Sequence, residues 1–586
     1  MVRARLSPIV ILGGLLALAL LALVGCRAAP APATPTPTRA PAAPAPVATP
    51  TPAPAPAPAP APGVTPTPTP VVLPTPTPTP AVVEQPRYGG ILRAMHRDNP
   101  PSLLIHREAT ISTSWPVMPA YNNLVIFDQS KDRSIPENIV PELAESWEWQ
   151  DGGRTLVFKL RRNVKWHDGT PFTAKDVKFT FDSIRLDRGI AVNPRRDWYA
   201  NVASIDTPDD YTVIFRLNRP QPALLQMLAS GYTPVMPAHP GSLDALRTNI
   251  IGTGPFKLKT FRPGELLELE KNKDYWVPGR PYLDGIRYII ITDRATRYAA
   301  LRAGQLDIAF PGETTKSLRD TVKAAVPQMV EVRVSTNVYD NILTNFTRPP
   351  FTDARVRRAV TLAIDREAYV QAVREGGAII GAAMLPQPWG YWGLPEERLR
   401  KLPGYGDPRA GKEEARRLLA EAGFPTGLDV VMSTRNIALY IDFANFVADQ
   451  LRQVGIRTTI ELVETGVWHP KVTRLEYTLG TNLTGVGIDD PDANFYENYR
   501  CGSPRNYSAY CNPEVDRMMD EASATLDVQK RRELVWQIDE KLQIDGARPV
   551  TGWTVDYFLF WPHVKGYVPQ HVLYNHGRMQ DVWLAR

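Results

Sequence analysis

The stretch LAESWEWQDGGRTLVFKLRRNVKWHDGTPF, residues 143–172, is the most readable part of this sequence. Apolar and polar residues alternate on both sides of Asp151, Gly152 and Gly153, the period-two pattern of two antiparallel strands joined by a tight turn. Asp168 and Gly169 turn the chain again. Thr173 then stands where a helix cap is needed, with Asp176 three residues on and Val177, Phe179, Thr180 and Phe181 opening a packing face. His167 and Asp168 could form an acid/base pair, but neighbours in a turn just ahead of a cap usually serve structure, so no catalysis is assigned to them.

Working outward, GGILRAM at 89–95 is strand-like, and YTVIFRL (211–217), PFKLKTF (255–261), ELLELEKN (265–272) and IRYIII (286–291) predict further strands. Helical spacing predicts helices over 296–303, 353–363 and 412–422, the last ending at Gly423, with LDVVMST (428–434) as the next strand. The alternation predicts an α/β architecture with mixed sheets. No fixed period of roughly 20 to 50 residues is visible, which argues against a solenoid or propeller.

The chain has 586 residues, enough for roughly three to five domains and a large core. Of its 58 prolines, 22 fall in residues 27–87, where Ala-Pro and Thr-Pro pairs repeat. That composition cannot bury a core and favours extended polyproline II, so it predicts a spacer reaching on the order of 190 Å. The formal charge of +6 falls to +2 over residues 88–586, with 62 basic against 60 acidic side chains. This supplies no broad phosphate-neutralising field and excludes a nucleic-acid binder on charge.

Arg3 and Arg5 precede an apolar run from Ile9 to Val24, too short for a membrane span of about 20 residues and suited to an export signal. The run ends in Leu23, Val24, Gly25 and Cys26, which resembles the bacterial lipobox, in which the cysteine thiol receives a diacylglycerol. The expected location is the outer face of the cytoplasmic membrane, with lipid on Cys26. A plain membrane anchor with an incidental cysteine is the competing reading. The two remaining cysteines, Cys501 and Cys511, are most simply a disulfide in such a compartment. A metal site would need about four ligands, and the closest histidine in sequence is His469.

Several segments together resemble the family 5 (peptide/nickel-type) extracellular solute-binding proteins of bacterial ABC transporters. They include IVPELAESWEW (139–149), IGTGPFKL (251–258), DRATRYAALRAGQLDIA (293–309), FTDARVRRAVTLAIDREAYV (351–370), DDPDANF (489–495) and NYSAYCNPEVDRMMDEA (506–522), in the family's order. The resemblance covers nearly all of 88–586. It implies a two-lobed periplasmic-binding-protein-like fold (type II, cluster C) with mixed sheets, a hinge and an extra inserted subdomain. By that analogy 1–26 is the signal peptide and 27–87 the tether. Lobe I comprises 88–121, 251–336 and 556–586, the insert is 122–250, and lobe II is 337–555, with crossings near Tyr339 and Val555. The implied role is capture of a small solute, a di- or oligopeptide, for the permease and ATPase subunits of an importer, by a monomer that needs no cofactor and is no enzyme.

Peptide binders of this family hold the peptide ends with a carboxylate and an arginine, as buried ionic ends require. Arg435 in MSTRNIALY falls at the arginine's place. The acidic position, four residues before Pro491, is occupied by Gly487; Asp489 and Asp490 are the nearby substitutes, or else cap and turn the loop. Tyr121, Asn122, Tyr339, Trp389 and Tyr391 are the candidate pocket walls implied by the resemblance. A surface hydrolase is the competing class, but the chain carries no Gly-x-Ser-x-Gly elbow and no His-Glu-x-x-His helix. Another cargo on the same fold, such as an oligosaccharide, an opine or a metal chelate, also remains open; His563, His571 and His576 are read as surface residues rather than a nickel site.

Overall fold

The computed structural model describes residues 84–187 and 192–586; the signal-like segment with Cys26 and the proline-rich tether lie outside them. The hairpin forms where the alternation places it. Ala144–Gln150 pairs antiparallel with Thr155–Leu160, and Asp151, Gly152 and Gly153 between them all take positive φ. Thr212–Leu217 and Val202–Asp209 complete this four-stranded sheet. The helix Ala174–Arg185 lies on it, with Phe181 meeting Phe215 at 5.6 Å between ring centroids. Thr173 and Asp176 form the capping box, the Thr173 N–H donating to Asp176 Oδ2 at 2.8 Å. His167 Nε2 donates to the Gly254 carbonyl at 3.1 Å and Nδ1 accepts from Gly252, so this histidine fastens a loop.

A second sheet runs in the order Ile91–His96, Gly285–Ile290, Leu266–Lys271, Phe256–Arg262, with only its first pair parallel. The largest sheet orders Ala378–Ile379, Val550–Phe560, Val330–Thr344, Leu479–Gly485, Leu428–Arg435 and Ile456–Val463. In it Leu428–Arg435 runs parallel to both neighbours and the other pairs are antiparallel. The predicted helix at 412–422 starts earlier, at Pro408, because Asp407 caps it and proline fits the first helical turn.

Two long strands, Val330–Thr344 and Val550–Phe560, tie the second and largest sheets together. The outer end of Val550–Phe560 meets the second sheet through Ile308, which is bridged to both Phe560 and Ala94. Their register runs from Val330↔Phe560 to Ser335↔Val555, breaks, and resumes at Tyr339↔Trp553. At the break Thr336 Oγ1 and Thr554 Oγ1 lie 2.5 Å apart. A bulge is a local interruption of pairing at which a strand can bend without unravelling.

Cys501 and Cys511 are joined as a disulfide, with Cα atoms 4.5 Å apart. The C-terminal histidines correct the surface reading. His571 and His576 are buried, and burial lowers their pKa to about 3 and about 4. His563 instead meets Asp307 at 3.0 Å. Among the described residues no group of three His, Cys, Asp or Glu is placed to hold a metal ion, and no helix is long and apolar enough to cross a membrane.

Candidate functional site

Arg435 is the last residue of Leu428–Arg435, and its buried guanidinium is fixed on three sides. Nη1 donates to the Tyr440 hydroxyl at 2.9 Å, Nη2 donates to Thr465 Oγ1 at 2.7 Å, and Nη2 pairs with Asp98 Oδ2 at 3.2 Å. Tyr440 and Thr465 belong to the helices Ala438–Arg452 and Thr465–Thr473, whereas Asp98 follows the strand Ile91–His96 of the second sheet. The ion pair therefore crosses the seam between the two sheets. Asp98 also accepts from Thr465 Oγ1 at 2.8 Å and lies 3.7 Å from Arg97 Nε. Burial pushes its carboxyl up, but Arg435 and Arg97 outweigh that and hold it below the usual range.

A cavity of about 30 Å³ sits beside this cluster, lined among others by Arg97, Arg435, Tyr440, Leu483 and Tyr574. That is room for a few water molecules and not for a peptide, and Arg97 and Arg435 are both buried, so the seam is closed around its charges. Two glycines allow the closure. A Cβ on Gly485 would overlap the Tyr574 hydroxyl, and one on Gly487 would lie 2.6 Å from the Trp198 ring, 2.9 Å from Ser230 Oγ and 3.1 Å from the Tyr232 ring. The Trp198 indole is itself pinned, donating to the Ala493 carbonyl at 3.0 Å. The place of the expected acidic anchor is filled by the ring of Trp198, from the turn just ahead of the strand Val202–Asp209.

Asp489 and Asp490 open on a different space, a pocket of about 550 Å³ lined by Arg133, Ser134, Tyr391, Trp392, Leu526 and Arg531, among others. Asp490 caps the helix Pro491–Asn498 through the Asp492 N–H and is held by both Arg531 Nη groups, at 2.7 and 2.9 Å. Asp489 differs. Its Oδ2 accepts from the Tyr391 N–H at 3.3 Å, while its buried Oδ1 has no hydrogen-bond partner among the described residues. Burial, with the adjacent Asp490 adding to it, lifts this carboxyl to about 7 against the Tyr391 N–H. A cation entering here would meet an unpaired carboxylate oxygen beside aromatic walls. Tyr391 is 42% exposed at the pocket, and Trp389, equally exposed, accepts at its carbonyl from Arg133 Nη2 at 2.8 Å.

The remaining candidates lie in the packed interior. Asn122 donates to Glu142 at 2.6 Å and accepts from Thr253 at 3.0 Å and Trp276 at 3.2 Å, so both ends of its amide are engaged. Tyr121 is fully buried beside Gly252. Tyr339 is buried against Trp553 at 4.7 Å between ring centroids, its hydroxyl directed at Asn494. Sequence reasoning missed Asp98, Thr465, Trp198 and Arg531. Asp98 follows a predicted strand, and Asp527 with Gln529 to Arg531 has the composition of a capped helix start, but neither pattern names a partner.

Two sheets tied by a pair of continuous strands, with charges from both buried in the seam, define a hinged solute-binding protein. Residues 138–506 match the model of the bacterial extracellular solute-binding proteins, family 5, and the chain belongs to that family. Its members are transport binding proteins, not enzymes. The di/tripeptide-binding protein 3 of Pseudomonas aeruginosa is 29% identical over 462 residues, covering 72% of this chain and 82% of that protein. The oligopeptide-binding protein AppA of Bacillus subtilis is 28% identical over 500 residues, covering 79% and 87%. Among solved structures, the ABC transporter-associated periplasmic binding protein DppA from Helicobacter pylori, in complex with the peptide STSA, superimposes with a TM-score of 0.76 at 25% identity, covering 85% of this chain and 99% of that one. The fold is thus the two-lobed, mixed-sheet binding-protein fold.

Proposed function

We propose that this protein is the substrate-binding subunit of an ABC importer, which captures a di- or oligopeptide between two lobes and delivers it to a membrane permease. The lobes are 88–121 with 251–336 and 556–586 on one side and 337–555 on the other, with 122–250 as the insert. The register break at Ser335–Tyr339, opposite Trp553–Val555, supports a hinge there. The observation that carries the reading is the Arg435–Asp98 pair, whose members lie 337 residues apart and meet across the seam between the two sheets. Peptide as cargo draws its support from the relatives' printed names. Asp489, with Tyr391 beside it, is the group we assign to a peptide ammonium. The protein acts as a monomer and hydrolyses no ATP itself.

The test is calorimetric titration of the full chain with di- and tripeptides. Arg435→Ala is expected to weaken peptide binding more than about tenfold, a loss of over about 1.4 kcal/mol, because the closed seam loses the cation that joins it. Unchanged affinity would remove Arg435 from the mechanism, and peptides that fail to bind at all would remove peptide as cargo. Gly487 favours a second reading, a non-peptide solute on the same fold, since Trp198 stands where a peptide's acidic anchor would be. Native mass spectrometry of the protein from its source separates the two, because bound peptides give a spread of masses and a single other solute gives one.

Anchoring rests on the Leu23–Cys26 segment. Cys26→Ser should move the protein from the membrane to the soluble fraction, as a thiol is required for the thioether to lipid; retention in the membrane would refute the lipid anchor.

A further inference from the structure

Arg195 is fully buried, and its Nη1 donates to the Glu108 carbonyl. Its Nε and Nη2 have no hydrogen-bond partner, and among the described residues it has no carboxylate within ion-pair distance. The undescribed residues, 1–83 and 188–191, contain no Asp or Glu, so no acidic side chain from them can complete the pairing. The guanidinium stacks 3.6 Å above the Tyr232 ring. Tyr232 in turn stacks on Tyr574 at 4.4 Å between centroids, and Tyr574 lines the small cavity beside Arg97 and Arg435.

The buried charge around this stack does not balance. Asp98 serves both Arg97 and Arg435. Glu497 pairs with Arg505 through Oε1, while its buried Oε2 has no hydrogen-bond partner. Were Glu497 to turn toward Arg195, it would still be one carboxylate between two guanidiniums. Arg97 and Arg435 thus share Asp98, and Arg195 and Arg505 share Glu497; of the other buried carboxylates nearby, Glu313, which acts on Arg97, is paired with Arg297, and Glu108, which feels Arg195, accepts from Ser102 at 2.6 Å and faces Arg247 at 3.8 Å. His469 reports the same field: burial drives its pKa well below the usual value, and Arg435, Arg505 and Arg195 push it further down. Burial likewise depresses the Arg195 pKa, with Glu497 and Tyr232 opposing. A buried cation without a counter-charge of its own is costly, and stacking on one ring offsets only part of that cost.

We propose that the solute is acidic: beyond the groups of a simple peptide it brings a carboxylate into the seam, and Arg195, held flat on Tyr232 with two free N–H groups, receives it. This rests on the binding-protein reading above and names the chemical class of its cargo. A planar guanidinium with Nε and one Nη unoccupied presents the fork that a carboxylate accepts in bidentate fashion. The carboxylate can come from a Glu or Asp side chain of a peptide or from a non-peptide acid, and the same chemistry serves both.

The experiment titrates the full chain, in detergent, with two matched pairs: Ala-Glu-Ala against Ala-Gln-Ala, and glutarate against glutaramide. The acid of at least one pair is expected to bind about tenfold or more tighter than its amide, with that preference falling to about twofold or less in Arg195→Gln. Arg195→Lys, which keeps the charge and loses the fork, should keep part of the preference, and it carries the test if Arg195→Gln fails to fold. Equal binding of acid and amide in both pairs would overturn the acidic preference while leaving peptide as cargo. Tight glutarate binding with neither tripeptide bound would support the acidic site and remove the peptide. A preference that survives both substitutions, binding of the amides alone, or no binding of any probe would overturn the proposal.

Discussion

Arg531→Ala is expected to destabilise the folded protein by about 3–5 kcal/mol, the range for breaking a buried ion pair by removing one partner. Arg531 is buried, and its Nη groups hold Asp490 at 2.7 and 2.9 Å and Asp492 at 2.8 Å, while Nε donates to the Ala522 carbonyl at 3.0 Å. Removing it leaves two adjacent buried carboxylates without their shared cation. Asp492 would retain Ser523 at 2.6 Å and Gln221 at 3.2 Å, which supply hydrogen bonds but no charge. Asp490 caps Pro491–Asn498, so the helix start loosens as well. Urea unfolding of wild type and variant reads the difference directly. A loss under about 1 kcal/mol would show that the two carboxylates are not dependent on Arg531, and would contradict the packing described above.

Gly487→Asp is expected to fail as a repair. The substitution places a carboxylate where peptide binders of the family carry one, yet its Cβ would stand 2.6 Å from the Trp198 ring and 2.9 Å from Ser230 Oγ. Overpacking of this kind costs about 1–3 kcal/mol, and a buried carboxylate without a partner adds to it. Both terms fall on the closed form, so solute affinity should drop at least about tenfold. Gly487→Ala isolates the steric part and should show a smaller loss. Trp198→Ala made together with Gly487→Asp should return part of the affinity by clearing the ring. Tighter peptide binding by Gly487→Asp alone would mean that Trp198 yields to a ligand, and that the free-peptide clamp of the family operates here after all.

The hairpin at 144–160, the Thr173 cap and the strands at 212–217, 256–262, 266–271 and 428–435 were legible because their signals are local. Side-chain alternation, a positive-φ turn and a carboxylate three residues beyond a threonine all act within a few residues. Where a local rule was applied loosely, it misplaced an end: the helix Pro408–Glu421 begins at the proline that Asp407 caps. The buried histidines were misread for another reason. A histidine in a polar-looking stretch carries no sign of the rings packed on it, and His576 is enclosed by Phe558 at 5.3 Å and Tyr567 at 5.9 Å.

The site was legible in the same uneven way. Arg435 and Asp489 could be marked through the family resemblance, one just after a strand and the other beside the position four residues before Pro491. Their situations were not legible: Arg435 is already paired with Asp98, and Asp489 faces a pocket with one oxygen unpartnered. Nor does anything near Arg195 in the chain announce a buried cation.

From the chain alone came the expectation of an export-type leader and a tether, the α/β order of elements and the family's run of motifs, all properties of residues close together in sequence. Which charges meet, which are left over and why Gly487 cannot be acidic belonged to the tertiary structure. A buried charge is defined by every group within a few ångströms, and in this seam those groups arrive from segments hundreds of residues apart.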